Sequence, residues 1–229
     1  MPRHDRSSSV AVTVSAPPPI ALAEAAGRLT VDLSRKQIDA LLHFLALLQR
    51  WNTTYNLTAL RDPAQMLTHH LIDCLAIVPL LRRQLADAGA KRLLDVGSGG
   101  GLPGVVLALL QDELSVTCVD SVGKKAAFVQ QVAAELSLRN LVVEHARVEN
   151  LIAPPFDIIT SRAFASLLDF TAITRRHLAS RGVWMAMKGK RPDDELAELP
   201  SDIDVFHVEP LAVPGLGAER CLVWMRLRS

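Results

Sequence analysis

The chain is poor in cysteine, in aromatic residues and in net charge. Its three cysteines, Cys74, Cys118 and Cys221, include no C-x-x-C pair. An odd, scattered set excludes a disulfide framework and reads as reduced thiols of a cytoplasmic protein. Lysine and arginine total 25 against 24 acidic residues, so the net charge of +1 carries no global nucleic-acid signal. No apolar run approaches the roughly 18 residues of a membrane span, which argues against a membrane partner. Residues 1–26, with a Ser/Thr-broken start and Pro17-Pro18-Pro19, read as a disordered tail rather than a signal peptide.

What is present is apolar residues, 49% of the chain, enough for a full core in one domain with an added segment. Residues 27–85 carry a helical period. Ser34 is a plausible N-cap for a helix with Ile38, Leu41, Leu42, Leu45, Leu48 and Trp51 on one face. Asp62-Pro63 opens a second, bearing Met66, Leu67, Leu71, Leu75 and Val78. On it His69 and Asp73 stand four apart and read as a local polar pair, with no third ligand evident for a metal. Between the helices, Trp51-Asn52-Thr53-Thr54-Tyr55-Asn56-Leu57-Thr58 suits turns and caps, or equally a lid or substrate surface.

Over 86–229 the period changes. Strands are expected at about 92–96, 115–120, 141–145, 156–160, 182–188, 203–208 and 220–227, with helices between most of them. That alternation implies an α/β fold with a mostly parallel seven-stranded sheet. The last two runs, joined only by the Pro/Gly loop 210–217, should form an antiparallel edge hairpin.

The first strand ends in Asp95-Val96-Gly97-Ser98-Gly99-Gly100-Gly101-Leu102-Pro103-Gly104. Glycines at 97, 99 and 101 allow positive φ and let a ligand lie on bare backbone, with a helix N-terminus behind it. A dinucleotide fingerprint needs Gly or Ala where Leu102 stands, and a phosphate loop needs a following Gly-Lys-Ser/Thr that is lacking. An acid two residues before the first glycine resembles instead the first motif of the class I S-adenosylmethionine (AdoMet) methyltransferases, whose Rossmann-like sheet ends in an edge hairpin. Asp120, closing the second strand, is the candidate ribose clamp, the capping residue of the next helix, or both.

Ligands of open α/β sheets bind beyond the carboxyl ends of the strands. That rim collects Lys124, Lys125, Arg147, Arg162, Lys188, Lys190 and Arg191, whereas acids gather from Asp193 to Glu209. A neutral chain can thus present a positive mouth to an RNA. After the fourth strand stands Ser161-Arg162-Ala163 rather than the Asn/Asp-Pro-Pro-aromatic motif of exocyclic amine methylation. No cysteine is placed as the nucleophile that pyrimidine C5 methylation requires. A ring nitrogen with its own lone pair, such as guanine N7, remains.

Together these segments resemble the RsmG (GidB) family of bacterial 16S rRNA methyltransferases. The resemblance spans roughly residues 28–225 and rests on Trp51-Asn52, Asn56-Leu57-Thr58, His70-Leu71-Ile72-Asp73, the Gly97–Gly104 loop, Asp120 to Lys125, Arg147-Val148-Glu149, Ser161-Arg162-Ala163 and Lys188-Gly189. It implies AdoMet as cofactor and 16S rRNA or the small ribosomal subunit as partner, with N7 of one guanine near the decoding centre as target. The implied cofactor residues are Asp95, Gly97, Gly99, Gly101, Leu102, Asp120, Val148, Glu149 and Arg162. Arg162 and Lys188 are the implied catalytic residues, no metal is expected, and the protein is expected to be a monomer.

Overall fold

A computed structural model of the protein describes residues 18–89, 91–162, 164 and 166–228. It opens with helices α1 (Pro18–Arg28) and α2 (Arg35–Tyr55). Residues 18–26, expected in a disordered tail, therefore form most of a helix, while the rest of that expectation, 1–17, lies outside the described residues. Pro18 and Pro19 sit in the first turn, where a missing N–H costs little, and Leu22, Ala25 and Ala26 are buried. Burial of that face outweighs the weak local signal.

Ser34 caps α2 as expected. Its Oγ accepts from Gln37 N–H at 3.2 Å, and Gln37 Oε1 accepts from Ser34 N–H at 2.9 Å. A second helical run joins α3 (Pro63–Met66), a π-helical turn (Leu67–Ile72), α4 (Asp73–Leu75) and α5 (Val78–Ala88). The Asp62 carboxylate accepts from Ala64 N–H at 3.2 Å to start it. Pro63–Ala86 holds no unbroken apolar run of membrane-spanning length, although it is long and apolar enough to cross a membrane by length and composition; 67% of its most apolar window is buried inside the fold. It is a core helix, and its apolar surface is spent on packing.

The sheet comprises β1 (Arg92–Val96), β2 (Ser115–Asp120), β3 (Leu141–His145), β4 (Phe156–Ser161), β5 (Leu178–Lys188), β6 (Ile203–Pro210) and β7 (Cys221–Leu227). Their order is β3-β2-β1-β4-β5-β7-β6, parallel from β3 to β5, with β7 antiparallel to both its neighbours. This is the expected seven-stranded sheet with an antiparallel edge hairpin. β5 begins four residues earlier than its apolar run, at Leu178, which pairs with Phe156 across a register shift.

Alternation along the strands sorts the core. Leu93, Ile158 and Met185 join the layer containing α2, the 63–88 run, α6 (Gly104–Leu110) and α7 (Gly123–Glu135). Leu94, Ile159 and Trp184 face the opposite layer, with Leu167 and Phe170 of α8 (Leu167–Thr174). Every residue of α6 is buried. The helix behind the glycine loop is thereby fixed on all sides.

Candidate functional site

The carboxyl ends of β1, β2 and β4 meet at the glycine loop. Gly97, Gly99 and Gly101 take φ of 66°, 57° and 79°, the left-handed region that the sequence requires of them. The amides of Gly97 and Ser98 both donate to Val119 O, at 2.9 and 3.2 Å, and pin the loop to β2. From the same strand, Asp120 Oδ2 accepts from Gly99 N–H at 2.9 Å and Oδ1 from Val122 N–H at 2.8 Å. Asp120 therefore shapes the loop and the turn before α7 (Gly123–Glu135), but it does not cap that helix as expected: the N-cap is Val122, with no side-chain cap bond.

Asp95 lies wholly buried beneath the turn. Its Oδ2 accepts from Gly104 N–H at 2.8 Å, while Oδ1 has no hydrogen-bond partner. Burial pushes its pKa up to about 7, against the opposing pull of the Gly104 N–H and the Arg162 charge. A Cβ on Gly104 would overlap Cys118 Sγ and lie 2.8 Å from Asp95 Oδ2.

Gly97 separates two clefts. One, of about 200 Å³, is lined by Gly97, Ser98, Gly99, Gly100 and Leu102 on the loop side and by Leu48, Leu57, Thr58, His70, Lys125 and Arg162 across from it. The other, of about 230 Å³, is bounded by Gly97, Asp120, Ser121, Arg147, Val148, Glu149 and Phe164. Together they reach the size of small-ligand sites, about 300–1,000 Å³. A larger apolar groove of about 800 Å³ lies elsewhere, between α1, α2 and residues 62–72, and holds none of the anticipated site residues.

Arg162, just beyond β4, is held by the 63–88 run. Its Nη1 donates to His69 O at 2.9 Å and to Asp73 Oδ2 at 3.3 Å. Arg220 Nε donates to Asp73 Oδ1 at 3.0 Å. The anticipated His69–Asp73 pair gives way to this arrangement, because the π-turn at 67–72 breaks regular i, i+4 spacing and Asp73 faces two guanidinium groups. Residue 163 of the Ser161-Arg162-Ala163 motif lies outside the described residues.

The structure therefore gathers Gly97, Gly99, Leu102, Arg162, Asp120, Val148 and Glu149 around the two clefts, with Asp95 and Gly101 supporting them from below. It does not bring Lys188 into either. Lys188 Nζ is 2.8 Å from Glu195 Oε1 and 3.4 Å from Phe164 O. Glu149 pairs with Arg147 at 3.2 Å, and its own backbone amide and Arg147 hold its carboxyl below the usual range.

Sequence reasoning places Thr58, His70 and Lys125 only within wider segments and gives Arg220 no role. His70 is buried, its Nε2 3.0 Å from Thr58 Oγ1 and its Nδ1 without a partner. Burial, and then the Arg162 charge, lower its pKa to about 4, so the imidazole is neutral. The 51–58 stretch forms the anticipated turn and also contributes to the cleft wall. Asn52 bonds Thr58 N–H and Leu60 O at 2.9 Å each, and Leu57 and Thr58 wall the cleft. All three cysteines are buried, with burial pushing Cys74 up to about 12, Cys118 well above the ordinary thiol and Cys221 upward.

Residues 37–223 match the GidB family, described as rRNA small subunit methyltransferase G. The chain is 62% identical over 213 residues to the "Ribosomal RNA small subunit methyltransferase G" of Acidovorax sp. strain JS42, covering 90% of this chain and 94% of that protein. The protein of the same name in Paracidovorax citrulli is 58% identical over 231 residues, covering 96% and 93%. In fold, the chain is similar to TrmN from Thermus thermophilus, with a TM-score of 0.52 at 20% identity over 70% of this chain and 53% of that one. The sheet order, the glycine loop and these matches together place the chain in the rRNA small subunit methyltransferase G family, with the class I methyltransferase fold.

Proposed function

We propose that the protein transfers a methyl group from AdoMet to N7 of one guanine in 16S rRNA, near the decoding centre. The observation that carries this reading is the cleft between the glycine loop and Arg162, bordered by a neutral histidine and no thiol. The names of the relatives supply the RNA.

The residues fit AdoMet. Backbone at Gly97 and Gly99 is bare toward the clefts, and the Asp120 carboxylate borders one of them. Asp95 keeps one unsatisfied buried oxygen behind the loop and anchors the turn through Gly104 N–H, so it supports the backbone that would hold the cofactor. Gly97, Gly99 and Leu102 would hold the cofactor, Asp120 its ribose, and Val148 and Glu149 its adenine. When bound, it supplies an electrophilic methyl on a sulfonium.

The chain's own contribution is placement. A guanine N7 carries a free lone pair, so no side chain has to remove a proton. Arg162, fixed by His69 O and Asp73, presents its remaining N–H groups at the cleft, where they can hold the acceptor or its phosphate. His70, uncharged, adds no repulsion to a site that handles cations. Leu48, Leu57 and Leu102 exclude water from the approach. Radiolabelled AdoMet with 16S rRNA from a strain lacking this gene tests the reading; label in the rRNA supports it, and label only in protein or a small molecule overturns it.

A further inference from the structure

An aromatic ladder runs from the core to the rim of the cleft. Phe44 and Phe128, both fully buried, stack with centroids 6.3 Å apart. Trp51 lies 5.4 Å from Phe128, and Tyr55 5.1 Å from Trp51. The core ends of this ladder are explained by packing. Its outer end is not, because Tyr55 is 41% exposed and is the chain's one tyrosine.

Tyr55 closes α2, and Asn56 then turns the backbone through a left-handed conformation at φ 50°. Leu57 and Thr58, the next two residues, are already cleft wall. Two residues of chain span at most about 7 Å, so the Tyr55 backbone lies within that distance of the cleft wall. The neighbouring elements carry basic side chains, of which Arg50 also faces the Glu135 carboxylate of α7. Arg61 Nη2 donates to Asn56 Oδ1 at 3.2 Å, Arg50 is exposed on the same helix, and α7 supplies exposed Lys124 and cleft-lining Lys125 one turn before Phe128.

An exposed ring, backed by a second ring and flanked by separate cations, matches how unpaired RNA is bound: bases stack on aromatic faces while Lys and Arg follow the phosphates. We propose that Tyr55 is a stacking platform for an unpaired base neighbouring the target nucleotide, with Arg61 and Lys125 holding the adjoining phosphates. This rests on the rRNA reading above and adds the surface by which the acceptor strand is presented. Tyr55 is a positioning residue for the acceptor and touches neither cofactor nor methyl group.

The test uses the full-length protein with small ribosomal subunits lacking the modification. Ultraviolet crosslinking and peptide mass spectrometry are expected to find a nucleotide adduct on Tyr55. Tyr55→Leu should raise KM for the subunit roughly tenfold, as loss of one stacked base predicts, and leave kcat, AdoMet affinity and melting temperature near wild type. Tyr55→Phe should restore KM. An unchanged KM in Tyr55→Leu with no adduct overturns the platform while the wild type still methylates 16S rRNA, so the two readings fail separately. An adduct joining Tyr55 to a ribosomal protein also overturns it, in favour of a protein contact.

Discussion

Asp73, 2% exposed at its side chain, accepts from Arg162 Nη1 at 3.3 Å, and this pair ties the rim of the sheet to the helical run 63–88. Arg220 completes the group from the far side at 3.0 Å. Asp73→Asn should lower stability by about 1–3 kcal/mol, because both arginines are only partly buried and can turn to water. Chemical denaturation checks the stability. Methyl transfer should fall further than the folded fraction does, since Arg162 loses its fixed orientation.

Arg162→Ala should impair transfer far more than cofactor binding. The guanidinium lies across the cleft from the glycine loop and is not part of it. Isothermal titration should give an AdoMet affinity within a few-fold of wild type, while single-turnover transfer drops by two orders of magnitude or so. Equal loss of both would make Arg162 a part of the cofactor pocket.

Two glycines should respond in opposite directions to alanine. At Gly104 the new methyl overlaps Cys118 Sγ and crowds Asp95, so Gly104→Ala should cost about 1–3 kcal/mol and weaken AdoMet binding. At Gly27, inside α1, nothing lies within 4 Å of the added Cβ. Gly27→Ala should stabilise by roughly 0.5–1 kcal/mol through helix propensity. Thermal melting of both variants reads the contrast.

Asp95 and His70 bias stability against pH in opposite senses. The folded state keeps Asp95 protonated from the ordinary carboxyl value of 3.8 up to about 7, so this group makes stability fall as pH rises through that window. It keeps His70 neutral down to about 4 against 6.5, so that group makes stability rise from pH 4 to 6.5. Between pH 4 and 6.5 the two offset one another. His70→Asn should expose a decline approaching about 1.4 kcal/mol per pH unit, and Asp95→Asn a rise of similar slope. Urea titrations at pH 4.5, 5.5 and 6.5 measure both slopes.

Strand positions were readable because each buried strand is a short apolar run bounded by turn residues, and the loop because only glycine tolerates its backbone. Asp120 and Arg162 followed from a general rule about strand ends. The position of Arg220, and the meeting of Thr58 with His70, did not. Arg220 and Thr58 reach the site from residues 147 and 12 positions away from Asp73 and His70, and no local pattern encodes such a meeting. The Asp73 error has a definite source, since i, i+4 reasoning assumes α-helical spacing and a π-turn removes it. Lys188 stands at the end of its strand, as its place in the rim requires, but its side chain pairs with Glu195. The helix at 18–28 was missed because proline signalled a linker, whereas its helical face needs α2 to be buried.

The most direct test of the central claim identifies the modified nucleoside itself. Small ribosomal subunits from a strain lacking the gene are treated with the protein and labelled AdoMet, and the 16S rRNA is digested and resolved by mass spectrometry. The expected product is one 7-methylguanosine per 16S molecule, mapped to a loop near the decoding centre. A methyl group on a cytosine, on an exocyclic amine or on a ribosomal protein would contradict it.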